Sequence, residues 1–244
     1  MAADAGTSVP FVLLPGMNCS PHLWDTVLDR LQAAQPDGPT GEVRVERLEQ
    51  SSVDDQVDTL LDRLPARFAL AGFSLGAIVA MAVHRRASSR VAGLLLAATN
   101  PRAPTDTQRS DWEAQLAQLA AGTTARDLQE KILPQLIGVS PEPLLRERIL
   151  TMADHVGPTD LQAQLQLQLS RVDERPGLRR VTVPCLVLAA ADDQICLLER
   201  SVEIHGLVDS AELVVIPDAP HLVPLSHPQA VAEAMLGWIQ RIDG

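Results

Sequence analysis

The chain is predicted to fold as an α/β protein with a doubly wound, mostly parallel sheet and an all-helical cap inserted. Three observations predict this. Short apolar, β-branched runs alternate with helical patterns, as expected of strands buried on both faces and covered by helices. The rhythm breaks once, between about Asn100 and Leu178, where Leu, Gln, Ala, Arg and Glu dominate and no strand is convincing. The length, 244 residues of which 46% are hydrophobic, suits one large domain carrying an insertion.

The candidate strands are Val9–Leu14, Val43–Leu48, Phe68–Phe73, Val91–Ala97, Cys185–Ala190 and Leu213–Ile216. Between them, helices announce their starts. Ser20 followed by Pro21 reads as an N-cap with proline at the first helical position, ahead of a stripe of Leu23, Trp24, Val27, Leu28 and Leu31. Ser226 and Pro228 open a last helix with the stripe Val231, Met235, Trp238 and Ile242. The insertion carries helical stripes at Leu116 and Leu119, at Leu128, Ile132 and Leu136, at Leu145, Ile149 and Met152, and at Leu161, Leu165 and Leu169. Leu165 to Leu169 also alternates as a strand would. Thr159 with Gln162 forms a possible capping box, and β-branched residues are missing, so helix is the prediction. Residues 1–100 and 179–244 are therefore assigned to the core and 101–178 to a cap over the carboxyl edge of the sheet. Gln35–Gly41 is a Pro/Gly-rich loop.

Composition limits the function classes. A net charge of −11 disfavours a phosphate-backbone partner, and three Phe, three Trp and no Tyr leave little for stacking bases. No apolar run approaches the ~18–20 residues that cross a bilayer, and Met1 to Val9 lacks the basic start of a signal peptide. Cys19, Cys185 and Cys196 form neither a disulfide framework nor a metal motif, which points to a reducing cytoplasm. No metal-ligand spacing and no dinucleotide fingerprint is present, so no cofactor is expected, and the expected partner is a small-molecule substrate.

The strongest chemical signal is Gly72-Phe73-Ser74-Leu75-Gly76, which follows an apolar strand and opens a helix at Ile78, Val79, Ala82 and Val83. Its flanking glycines let strand and helix cross closely, holding Ser74 in a strained turn with its oxygen exposed. A serine hydroxyl needs a base. Of six histidines, His221 lies in the loop after the last strand, where the strand-end loops of a parallel sheet converge. His84 lies too far along the helix after Ser74, His205 within a helix, and His227 beside the helix-opening Pro228. An acid to hold the imidazole should follow the preceding strand, where Asp192 and Asp193 both stand. The order Ser, Asp, His is that of one known triad arrangement. Leu75 N–H at the helix start supplies one oxyanion donor, and Gly16 permits a turn that would aim the Met17 N–H as a second, although the same residues also make a simple turn.

These residues resemble the α/β-hydrolase superfamily, in its small cap-bearing branch of esterases, lactonases and carbon–carbon hydrolases, over almost the whole chain. The likeness rests on Leu14-Pro15-Gly16-Met17, Gly72-Phe73-Ser74-Leu75-Gly76, Ala190-Ala191-Asp192-Asp193 and Pro220-His221. The family's Gly-x-x-Asp acid turn registers Ala190 with the glycine and Asp193 with the acid, so the resemblance selects Asp193. Pro15, Ala77 and Pro220 depart from a frequent histidine and two frequent glycines, and none of these removes a reacting group.

The resemblance implies acyl transfer to water through an acyl-enzyme on Ser74, and the Leu-rich cap suggests a small, largely apolar ester or lactone. The same fold and triad also serve carbon–carbon hydrolysis, thioester hydrolysis and lyase chemistry, and a ligand-binding protein with a relic triad is a further alternative. Cys19 and Cys196, near the oxyanion and acid turns, read as inert. Arg171, Asp173 and Arg175 read as a structural ion-paired cluster ahead of a substrate-carboxylate clamp.

Overall fold

The computed structural model describes residues 9–34, 42–139 and 141–243. Six strands, β1 (Phe11–Leu14), β2 (Val43–Val45), β3 (Phe68–Phe73), β4 (Val91–Ala97), β5 (Cys185–Ala190) and β6 (Ala211–Ile216), form one sheet in the order β2-β1-β3-β4-β5-β6. Every pairing is parallel. Successive side chains of a strand point to opposite faces, and here both faces are covered. Phe11, Leu13, Ala71 and Leu95 join a core under α1 (Asp25–Ala34) and α10 (Pro228–Asp243). Val12, Leu14, Leu70 and Leu94 join a second core under α2 (Val53–Arg63), α3 (Leu75–Ala87) and α8 (Leu198–His205). That two-sided burial is why the strands read as unbroken apolar runs.

The winding direction places the site. From β1 the chain goes out to the edge strand β2 and returns on the other side to β3. The connections leaving β1 and β3 therefore run to opposite faces, through α1 and α3. They open a crevice between them at the carboxyl ends of the strands, the usual ligand position in such sheets.

Between β4 and β5 the described elements are all helical: α4 (Asp106–Ala120), α5 (Ala125–Ile137), α6 (Pro143–Ser170) and α7 (Arg175–Leu178). Thr105 and Thr124 open α4 and α5 with reciprocal side-chain capping boxes. Helix α6 turns sharply at Gly157, whose φ of 68° and ψ of 175° glycine adopts without steric cost, and Pro158 restarts it. Gly157-Pro158, immediately ahead of Thr159, thus sets the start that the sequence assigned to a Thr159–Gln162 box. Trp112, Leu119, Leu128, Leu161 and Leu165 form a small core of their own inside this insertion.

Other boundaries shift for physical reasons. Strand β2 ends at Val45 rather than Leu48, because its only neighbour is the four-residue β1. Leu48 is instead buried beyond the strand, its carbonyl accepting from the Gln164 amide at 3.0 Å. Ser20 makes no side-chain cap; Pro21–Leu23 is a single 3₁₀ turn ahead of α1. Ser226 closes a short turn, α9 (Val223–Ser226), and Pro228 alone opens α10. The loop Gln35–Gly41 and residues 1–8 lie outside the described residues. Among the described residues no helix is long and apolar enough to cross a membrane.

Candidate active site

Ser74 stands between β3 and α3 with φ 51° and ψ −111°, a conformation strained for a residue with a Cβ. The surrounding hydrogen bonds fix it. Its N–H donates to the Ala97 carbonyl at 2.8 Å, and its own carbonyl accepts from the Thr99 hydroxyl at 2.9 Å. The flanking glycines have the role the motif predicts. A Cβ on Gly72 would stand 2.5 Å from the Ala77 backbone, and one on Gly76 would stand 2.5 Å from the carbonyl oxygens of Leu14 and Pro15. Backbone cannot yield as a side chain does. Gly76→Ala is therefore expected to cost at least about 1–3 kcal/mol of stability and to displace the serine. Urea unfolding reads the first effect, and an unchanged midpoint would show that the crossing relaxes freely.

His221 lies in the loop after β6, and its Nε2 is 3.2 Å from the Ser74 Oγ. Its Nδ1 is 2.7 Å from Oδ2 of Asp193. Asp193 Oδ1 accepts the N–H groups of Ile195 and Cys196, each at 2.8 Å. A carboxylate with both oxygens engaged accepts only, so the imidazole carries its proton on Nδ1 and offers Nε2 as acceptor. Both residues are buried, whereas Asp192 is exposed, its N–H tied to the Ala219 carbonyl at 2.9 Å. That bond staples the turn carrying Asp193 to the loop carrying His221. Of the two aspartates, the structure brings Asp193 to the histidine.

The remaining histidines stand apart from this chain of bonds. His84 is buried on α3, His205 ends α8, His227 bonds Ser226, and His22 and His155 face each other ring to ring at 5.5 Å.

Leu75 is the first residue of α3, so its N–H has no intrahelical acceptor. The Met17 N–H, in the turn after β1, has no protein acceptor among the described residues. The next residue holds this turn in place. Asn18 is buried at φ 55°; its N–H donates to Gln164 Oε1 at 2.8 Å, and its amide donates to the Ala125 carbonyl and Gln129 Oε1, both at 2.9 Å. This turn is thus bolted to α5 and α6. Sequence reasoning missed Asn18, Gln129 and Gln164. The available signal was an Asn after Gly-x, a residue that tolerates positive φ.

A cavity of about 210 Å³ opens over the serine, lined by Ser74, His221 and Met17. The lining is mixed, with apolar Phe73, Ile78, Ile132, Leu136, Ile195 and Leu222 beside polar Gln108, Gln115, Gln129, Gln168 and Arg171. Most leucines of this insertion join its own core or the cores against the sheet instead. Cys19 and Cys196 also line the cavity, and burial pushes both thiols up, Cys19 to about 12, which keeps them protonated.

The predicted ion-paired cluster is only half right. Asp173 and Arg175 pair, and Arg175 also reaches Glu203 at 3.4 Å. Arg171 makes no ion pair among the described residues. It directly follows α6 and is buried in the lining of the cavity instead. Among the described residues no group of three or more His, Cys, Asp or Glu side chains has the arrangement of a metal site.

Residues 11–234 match the model of the alpha/beta hydrolase family. The chain belongs to that family. Among curated relatives, the pimeloyl-[acyl-carrier protein] methyl ester esterase of Nitrosomonas europaea is 29% identical over 240 residues, 92% of this chain and 93% of that protein. The biotin biosynthesis bifunctional protein BioHC of Cellvibrio japonicus is 27% identical over 95% of this chain, which spans only 47% of that protein's length. Among solved structures, a thermophilic esterase from Thermogutta terrifontis superposes with a TM-score of 0.82 at 24% identity, over 98% of this chain and 92% of that one. MenH from S. aureus superposes with a TM-score of 0.84 at 17% identity, over 100% and 98%. These two share the fold. As an alpha/beta hydrolase with esterase-named relatives, the chain is an enzyme of the carboxylic ester hydrolase type.

Proposed function

We propose that this alpha/beta hydrolase cleaves a small ester or lactone through an acyl-enzyme on Ser74. The observation that carries the reading is the unbroken hydrogen-bond chain from Ser74 Oγ through His221 to Asp193. The Ser74 oxygen attacks the carbonyl carbon while His221 Nε2 takes its proton. The tetrahedral oxyanion is held by the N–H groups of Leu75 and Met17. The carbon–oxygen bond to the alcohol then breaks, and the alcohol leaves with the proton from His221. Water, deprotonated by the same nitrogen, attacks the acyl carbon and releases the acid and Ser74. Residues 101–178 act as the cap that closes the cavity and sets which acyl groups enter. The cavity supports a short chain: 210 Å³ holds about seven water volumes.

A fluorophosphonate probe tests the nucleophile, because an activated serine reacts and a relic does not. The expected result is stoichiometric labelling at Ser74. Methyl esters belong first in the accompanying substrate panel, since the Nitrosomonas europaea relative is named for cleaving one. Turnover is expected to fall as the acyl chain outgrows the cavity. Failure of the probe to label, with no turnover of any ester, would replace this reading with a binding protein.

A further inference from the structure

Arg171 is a buried cation in the cavity that hydrolysis of a neutral ester does not require. It is 5% exposed and lines the cavity that holds Ser74 and His221. Its partners are neutral: the guanidinium donates to Gln168 Oε1 at 2.8 Å and Gln108 Oε1 at 2.9 Å, and its face lies 5.0 Å from the Trp112 ring centre. Its Nε is buried without an acceptor.

Several arginines elsewhere pair with acids, while Arg90, Arg109, Arg148 and Arg180 bond only neutral groups among the described residues. Arg175 has Asp173, Arg85 has Glu174, and Arg126 has Glu147 and Asp154. With 31 acidic residues in the sequence, none pairs with Arg171 among the described residues. Asp111, the carboxylate lining the cavity, is exposed and forms no ion pair with it. Arg109 also stands near enough to disfavour the Arg171 cation, while Cys196 favours it. Burial pushes the guanidinium down to about 10, so it is still a cation at neutral pH. An uncompensated cation in a protein wall is costly, and the cost falls when an anion enters beside it.

A guanidinium whose two ends are oriented by glutamine carbonyls and whose face is stacked is a pre-set fork, and a carboxylate is the planar anion that fits one. Its place relative to the chemistry is also fixed. Arg171, Cys196 and Ser74 all line the one cavity of about 210 Å³. A substrate held at Arg171 needs only a short spacer to bring its carbonyl to the serine.

We propose that Arg171 is the carboxylate-recognising residue of this site and that the substrate is a short ester bearing a free carboxylate. The proposal rests on the assignment of Ser74 as nucleophile, and its test separates the two. Monomethyl glutarate and dimethyl glutarate present the same acyl chain with and without the charge. The wild-type enzyme is expected to prefer the half-ester by about 10- to 100-fold in kcat/KM, the range of a charge-assisted pair. In Arg171→Met that ratio falls to about one, mainly through KM, and Arg171→Lys retains part of it. A second measurement needs no variant: free glutarate inhibits the wild type competitively, and the neutral glutaramide does not.

Equal rates on the two esters without inhibition by glutarate, or a preference that survives in Arg171→Met, would overturn the role of Arg171. If the wild type is labelled by a fluorophosphonate and shows no half-ester preference, this proposal alone fails. If it is not labelled at all, the nucleophile assignment fails with it.

Discussion

Ser74→Ala is expected to lower the turnover of a short ester by about four to six orders of magnitude while leaving the protein folded. The two halves of this prediction have different causes. The activity loss follows from geometry, since Ser74 Oγ is the atom that His221 Nε2 meets at 3.2 Å. Without it, His221 can only activate water against the ester directly, and the residual rate comes from the oxyanion donors and binding. The fold is spared because the backbone at position 74 is held by groups the substitution keeps. The Ser74 N–H still donates to Ala97, its carbonyl still accepts from Thr99, and the glycines on either side still permit the crossing. Alanine at φ 51° is strained much as serine is, so the melting temperature should move by only a few degrees, corresponding to about 1 kcal/mol. Ester hydrolysis and a thermal melt on the same preparation check both halves. Retained turnover in a folded Ser74→Ala protein would remove the acyl-enzyme.

The parts legible in the sequence are those that local chemistry determines. Strands β3, β4 and β5 are buried on both faces, so nothing but apolar residues fits, and their ends can be read directly from Phe68–Phe73, Val91–Ala97 and Cys185–Ala190. The edge strand β2 reads less well, because its end depends on where its short partner stops. The elbow is legible because a serine at positive φ between two close crossings demands Gly72 and Gly76. What each cap helix faces is not legible. A leucine stripe identifies a buried side without telling whether the neighbour is the cavity, the sheet or another cap helix. The apolar pocket inferred from those leucines is therefore lined in part by Gln108, Gln129 and Gln168. Arg171 misleads for a related reason. Asp173 lies two residues away in sequence, but α6 ends at Ser170, and beyond it the chain turns Arg171 into the wall while Asp173 pairs outside with Arg175.

Asp193, the proposed acid of the triad, offers the second large effect. Asp193→Asn is expected to reduce kcat by about 10⁴-fold with little change in KM, and Asp192→Asn by no more than a few-fold. The hydrogen bonds around Asp193 dictate how an asparagine must sit. Oδ1 accepts two N–H groups, from Ile195 and Cys196, so the amide oxygen has to take that position. The amide nitrogen is then left where Oδ2 now meets His221 Nδ1 at 2.7 Å. Two N–H donors cannot face each other there. The imidazole moves its proton to Nε2, which then has no lone pair for the Ser74 hydroxyl, and the base is lost without any change of shape. Asp192 has no such position, since its side chain is exposed and its backbone N–H, which the substitution keeps, makes the bond to Ala219. Measuring both variants with the same ester assigns the acid. An inactive Asp192→Asn beside an active Asp193→Asn would mean that the imidazole takes its orientation from a different turn than the one bonded to it.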